Sequence, residues 1–229
     1  MREATFRLRV CFAKRGRLRF LSHLEIVRAC ERAVRRAGLP YAVTKGFNPH
    51  MRVSFGPALP VGTAGDREYY DVWLREHVPA AEALDRLAGT SAADLAPLDA
   101  RYVHEREPSL SAALTIAVYD VEVEGGSDFE ERLRSSLASV VADGSLVVEH
   151  KGKSKVFEFP STLLKEPDVH SVAERVVVTV TIRIGEHGSL RPEVLVSAAI
   201  ARSAPDGRIL SVTRTDLFIE ETGAARRPI

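Results

Sequence analysis

The sequence has no run of 18 apolar residues, and its first dozen, MREATFRLRVCF, lack the apolar stretch of a signal peptide. A helix needs about 20 mostly apolar residues to cross a bilayer, so no membrane contact is expected and a cytoplasmic location is. Cysteine is nearly absent. Cys11 and Cys30 are the only two, with no CxxC spacing, which argues against a disulfide framework, a structural zinc or an iron–sulfur cluster. A metal would have to be gathered from scattered histidines and carboxylates, so neither metal nor other cofactor is expected. GxSxG, HExxH and GxGxxG are missing as well. The turn KGKSK at 151–155 is not a nucleotide P-loop, because Val147 stands where the first glycine belongs and a strand pattern follows it. Its Lys151, Lys153 and Lys155 remain candidates for phosphate contact.

What is present fits an ordinary soluble protein: 229 residues, 45% hydrophobic and 28% charged, enough for two domains. The formal net charge of +1 hides an asymmetry. Residues 1–60 carry 13 Lys or Arg against Glu3, Glu25 and Glu31, a net +10, and the remainder carries 19 basic and 28 acidic residues, a net −9. A basic half points to a polyanion or to an acidic partner surface.

The pattern of elements repeats. Residues 5–12 alternate Phe6, Leu8, Val10 and Phe12 with Arg7, Arg9 and Cys11, the period of a half-buried strand. Ser22 to Ala37 reads as a helix opened by a Ser22/Glu25 capping box, with Leu21 and Ile26 set for a hydrophobic staple. At 100° per residue its apolar side is Ile26, Val27, Cys30, Ala33, Val34 and Ala37, opposite Arg28, Arg32, Arg35 and Arg36. Strands at 51–55 and 68–74, a helix at 78–89 and an irregular strand ending near Val103 complete a βαββαβ unit. A second round follows: a strand at 114–124, a helix at 127–142 with a Ser127/Glu130 box, a hairpin around KGKSK, a strand at 174–184, a helix opening at Pro192 and a last strand at 209–220. The expectation is an α+β protein of two tandem ferredoxin-like (βαββαβ) domains. They would span 1–107 and 112–220, with a flexible tail at 221–229.

In such a sheet one face takes the helices and the other is free. Arg7, Arg9 and Cys11, with Tyr69, Asp71 and Trp73 or the alternate set from the third strand, would then form either an RNA-recognition face or the seat of the second domain. His23 lies in the first turn of the helix, beside Lys14, Arg15, Arg17 and Arg19. The helix dipole there attracts an anion and lowers an imidazole pKa, which suits a general base. The stretch KGFNPHMRVSFGPALPVG, residues 45–62, has glycines for open turns and prolines for stiffness around Lys45, Asn48, His50 and Arg52. It reads either as a phosphate grip with His50 as complement to His23, or as a strut with Phe47 and Phe55 buried.

RGRLRFLSHLEIVRACERAVRRAGLPYAVTKGFNPHMRVSFGPALPVG resembles the signature of the radical-SAM-associated (radical-SAM-linked) bacterial protein family of uncharacterised function. The likeness is strong over residues 1 to 75, in LRFLSHLE, RRAGLP, KGFNPH and SFGPALPVG. It implies a radical SAM enzyme as partner. Positions matching the motif are Arg19, Ser22, His23, Arg28, Arg32, Arg36, Gly46, Phe47, Asn48, Pro49, His50, Ser54, Pro60 and Gly62; Glu25 replaces the family's common Asp. Without CxxxCxxC the chain cannot hold the radical SAM cluster itself, and catalysis of its own is not the leading expectation. Tandem ferredoxin-like domains also resemble the endoribonucleases that process CRISPR transcripts, although their glycine-rich C-terminal loop is not seen.

The expectation is therefore an RNA-binding accessory protein that positions RNA for a radical SAM partner. The alternatives are a metal-independent endoribonuclease using His23 with His50, and a protein-interaction module that docks the enzyme without RNA.

Overall fold

The computed structural model describes residues 5–229 except 151, 174, 186–188 and 222–223. The protein is α+β. Its chain divides into two compact units, Met1–Leu114 with Ile219–Ile229, and Thr115–Phe218. The first boundary thus falls at Leu114, and the C-terminal segment belongs to the first unit rather than standing apart as a tail. No helix among the described residues is long and apolar enough to cross a membrane.

The first unit runs β1 (Phe6–Lys14), α1 (His23–Arg36), β2 (Val53–Phe55), β3 (Ala64–Leu74), α2 (Ala80–Ala88), β4 (Pro97–Val103) and the single turn α3 (Leu110–Ala113). β1 is central: it pairs antiparallel with β3 on one side and β4 on the other, and β2 pairs with the far edge of β3. α1 begins where its sequence says it should. Ser22 Oγ accepts from the Glu25 backbone N–H, and the Glu25 carboxylate accepts from the Ser22 N–H at 2.8 Å. Those bonds satisfy two of the orphan donors of the first turn, and the Ser22 hydroxyl, donating to the Glu25 carboxylate at 2.7 Å, together with the Ser22 N–H lowers the Glu25 pKa. At the other end Gly38, at φ +63°, takes the left-handed position that lets the chain leave the helix.

The apolar stripe of α1 (Ile26, Cys30, Ala33, Val34) packs on Leu8, Val10, Phe12, Tyr70 and Val72 of the sheet and, with Ala83 and Leu87 of α2, forms the core. The arginine stripe faces outward: Arg28, Arg32, Arg35 and Arg36 are all exposed.

The opposite face of this sheet is not open. Arg7, Arg9, Cys11, Tyr69, Asp71 and Trp73 are all buried. Asp71 accepts from Arg7 Nε at 2.9 Å and from Arg9 Nε at 2.8 Å. Arg7 also donates to the Glu107 and Pro108 carbonyls, and Arg9 to the Glu107 carboxylate and the Pro228 carbonyl. Two buried guanidiniums are tolerable only with such partners, and they bind the 107–108 segment and the chain end to the sheet. The RNA-recognition face expected from the alternation is therefore absent.

The second unit runs β5 (Leu114–Glu124), α4 (Phe129–Ala142), β6 (Ser145–His150), β7 (Lys153–Glu158), the short α5 (Phe159–Thr162), β8 (Asp168–Val172), β9 (Arg175–Arg183), α6 (Pro192–Ser203) and β10 (Arg208–Glu221), whose last residues return to the first unit. Its strands follow the order β10-β5-β9-β8 within the nine-stranded sheet of the described residues. Ser136 Oγ of α4 donates to the Ala199 carbonyl of α6 at 2.7 Å, joining the two helices. The hairpin β6–β7 pairs only within itself, and the strand expected from it is supplied by β8. α4 lacks the expected Ser127/Glu130 box. Asp128 is its N-cap at φ +56°, and Glu130 instead accepts from Ser171 Oγ and pairs with Arg134. β11 (Ala224–Arg226) pairs with Ile219–Glu221, so part of the expected tail is strand.

Candidate functional site

Two openings in the first unit flank α1, and they receive different parts of the residues singled out from sequence.

At the start of α1, His23 lies over a cleft of about 20 Å³ lined also by Phe12, Lys14, Phe55, Pro57, Glu68 and Tyr69. The imidazole meets the Phe55 ring edge-on, centroids 5.7 Å apart. Partial burial lowers the His23 pKa first and the Lys14 charge second, with Glu68 opposing. The direction is the one anticipated, and the causes are desolvation and the buried Lys14 ammonium. Neutral His23 is thus the resting form, suited to accept a proton. A space of that size holds one water, since about 10–15 Å³ is the minimum. It is too small to enclose a base.

The Asn-Pro-His bend does not reach this cleft. Tyr41 bridges to Leu74 and Val43 to Met51, so residues 41–53 form a narrow hairpin whose tip, 44–50, projects past the end of β2 remote from Phe55. Five residue steps separate His50 from Phe55, a backbone path of about 16 Å at 3.3 Å per step along extended chain. His50, with its N–H bonded to Thr44 Oγ1, is absent from the residues lining the His23 cleft. The expected His23–His50 complement is not assembled. Gly46, at φ +141°, opens the tip, and Phe47, expected either inside a strut or beside a grip, is fully exposed next to Lys45 and Asn48.

The predicted cations have different surroundings. Lys14 is buried. Arg52 lies 4.2 Å over the Trp73 ring and pairs with Glu105 at 2.8 Å, Arg15 pairs with Asp66 at 2.8 Å, and Arg35 reaches Glu31 at 3.4 Å. Arg19 lies over the Phe20 ring, its Nε buried with no hydrogen-bond partner among the described residues. Arg17, Arg28, Arg32, Arg36 and Lys45 are exposed and make no salt bridge among the described residues. Lys151 lies outside the described residues; Lys153 begins β7, and Lys155 is exposed on that strand, over the Phe157 ring at 4.7 Å.

The second opening, about 120 Å³, lies beside the arginine stripe, between α1 and the 90–97 segment. Arg32 and Arg36 line it with Tyr70, Ser91 and Ala92. Sequence reasoning missed it because its walls come from four separated stretches. The local signal was only the small pair Ala29 and Ala33 beside the arginines. No group of three or more His, Cys, Asp or Glu residues among those described is placed to hold a metal.

The profile of a family described as uncharacterised proteins conserved in bacteria, DUF2344, matches residues 7–192. No curated protein matches. Among solved structures, a chain of a Cbf5-Nop10-Gar1 complex aligns at 9% identity and a TM-score of 0.52, over 93% of this chain and 50% of that one. This chain thus spans half the length of that relative, and the likeness is one of fold. A microcompartment protein from Desulfitobacterium hafniense DCB aligns at 12% identity over 90% of this chain and 94% of that one, with a TM-score of 0.22, too low to support a fold relation.

Proposed function

We propose, from the premise that this chain belongs to the bacterial DUF2344 family, that it is a cytoplasmic RNA-binding accessory protein. The observation that carries this reading is the outer face of α1. Arg28, Arg32 and Arg36 stand exposed there, one turn apart along the helix, and, like the exposed Arg17 and Lys45, make no salt bridge among the described residues. A row of free guanidiniums matches the spacing and charge of a phosphate backbone, and each neutralised phosphate releases counterions. The exposed Phe47 adds a ring on which a base can stack. The sheet orders β4-β1-β3-β2 and β10-β5-β9-β8 agree with two ferredoxin-like units, the second interrupted by the β6–β7 hairpin.

The radical SAM enzyme as recipient of that RNA rests on the resemblance of the 15–62 signature. Crosslinking in cells followed by purification tests both partners together. The reading expects RNA on the protein and an enzyme whose capture is lost on nuclease treatment. Capture of the enzyme that survives nuclease, with no RNA crosslinked, favours the protein-docking alternative.

A second reading, metal-independent cleavage, is favoured by the lowered pKa of His23 and the Lys14 charge beside it. It expects cyclic phosphate ends formed in the presence of EDTA and lost in His23→Ala.

A further inference from the structure

The 120 Å³ cavity beside the arginine stripe combines features that the RNA reading alone does not require. Its lining includes the apolar side chains of Phe12, Leu95 and Pro97. Tyr70, only 3% exposed, lines it, and the Tyr70 hydroxyl makes no hydrogen bond among the described residues. That hydroxyl opens on the cavity, where a water or a ligand atom can pair with it. Burial raises the Tyr70 pKa well above its usual value, so the group is present as O–H, able to donate and accept. The Ser91 hydroxyl lies on the wall and makes no hydrogen bond among the described residues, whereas the Thr90 hydroxyl is already engaged by the Ala33 carbonyl at 3.1 Å. Arg32 and Arg36 stand at the rim, on the exposed side.

Apolar walls that include aromatic rings, two hydroxyls on the lining and two exposed cations beside it are complementary to a nucleobase with its phosphate outside. Size decides which base. A closed apolar cavity of about 150 Å³ takes one benzene, so a 120 Å³ cavity open at its mouth suits one six-membered ring better than the fused pair of a purine. We infer that this cavity receives the pyrimidine base of an unpaired nucleotide in the bound RNA strand, with Tyr70 and Ser91 reading its polar edge and Arg32 and Arg36 holding the flanking phosphates. The inference rests on the RNA reading and adds to it a single-stranded, pyrimidine-bearing substrate.

The test measures binding of fluorescein-labelled 12-mers of U, C and A to the full chain, to Tyr70→Phe and to Ala92→Trp. Tyr70→Phe keeps the ring and removes the hydroxyl; Ala92, exposed at the edge, tolerates a larger side chain that blocks the opening. The expected result is U and C strands binding about tenfold tighter than A, a margin of roughly one well-made hydrogen bond. Tyr70→Phe should reduce that margin and Ala92→Trp abolish it, while salt dependence stays unchanged because the arginines remain. Equal affinity for all three strands, or a preference untouched by Ala92→Trp, overturns the inference and leaves the RNA reading standing. If no strand binds, the RNA reading itself falls. Saturable shifts of the Ser91 amide on titration with free uridine 5′-monophosphate would then assign the cavity to a free nucleotide and overturn the strand as its source.

Discussion

Arg9 and Asp71 are direct partners in the β1–β3 register, and Arg9 Nε donates to Asp71 Oδ1 at 2.8 Å with both side chains entirely buried. The same carboxylate takes a second charge from Arg7 at 2.6 Å. This cluster turns what looks from sequence like a cationic sheet face into the internal fastening of the first unit. It also removes Arg7 and Arg9 from the charge available to a ligand.

Replacing Asp71 by Ala leaves two buried guanidiniums facing each other. Breaking a buried pair in this way costs about 3–5 kcal/mol, so Asp71→Ala should shift the urea midpoint strongly or prevent folding. Arg101→Ala, on an exposed side chain, serves as control and should change stability by less than about 0.5 kcal/mol. An Asp71→Ala protein as stable as the control would contradict the cluster's role.

Phe47 and Phe12 make opposite demands. Phe47 is fully exposed and Phe12 is 5% exposed, edge-on to Tyr70 at 5.6 Å. Phe47→Ala should change unfolding free energy by less than about 0.5 kcal/mol, whereas Phe12→Ala should cost about 3–5 kcal/mol. Under the RNA reading Phe47→Ala still weakens binding, because stacking on an aromatic contributes about 1–3 kcal/mol per base. A Phe47→Ala protein with unchanged RNA affinity would exclude the hairpin tip from the interface.

His23 should titrate below the ordinary 6.5 of a histidine. Because the folded pKa is the lower one, the unfolded chain binds the proton first as pH falls. Stability attributable to this group is complete above 6.5 and is lost as pH drops from there through the folded pKa. Imidazole resonances followed by NMR give the midpoint directly, and His23→Gln should show a shallower loss of stability over the same window. A midpoint above 6.5 would mean that Glu68, not burial and Lys14, governs the site.

Ser22 caps α1 through its hydroxyl. Ser22→Ala should destabilise the first unit by about 1 kcal/mol, read from the urea midpoint, and Ser22→Thr should retain most of the stability. Equal midpoints for Ser22→Ala and the parent would show that the cap is dispensable.

Local chemistry was legible in the sequence where neighbours along the chain decide the outcome. The Ser22–Glu25 box, the two faces of α1 and the span of β5 follow from residues within a few positions of one another. What was not legible depended on distant partners. The β1 alternation shows that Arg7 and Arg9 share a face, but nothing within β1 discloses that Asp71, Glu107 and Pro228 close over it. The β6–β7 hairpin carries a stronger strand signal than DVHSV, yet the shorter segment joins the sheet. At 45–62 the glycines and prolines promised a rigid loop, and only the bridges at Tyr41 and Val43 reveal which way its tip points.

The central claim is that the free arginines of α1 hold RNA phosphates. Its most direct test is the slope of log affinity against log salt for a single-stranded RNA, in the parent and in a protein carrying Arg28→Gln, Arg32→Gln and Arg36→Gln. Each phosphate contact contributes about 0.7 to the slope on a single strand, so the variant should bind more weakly and its slope should be shallower by about 2. Identical slopes in the two proteins, or no salt-dependent binding in the parent, would contradict the account.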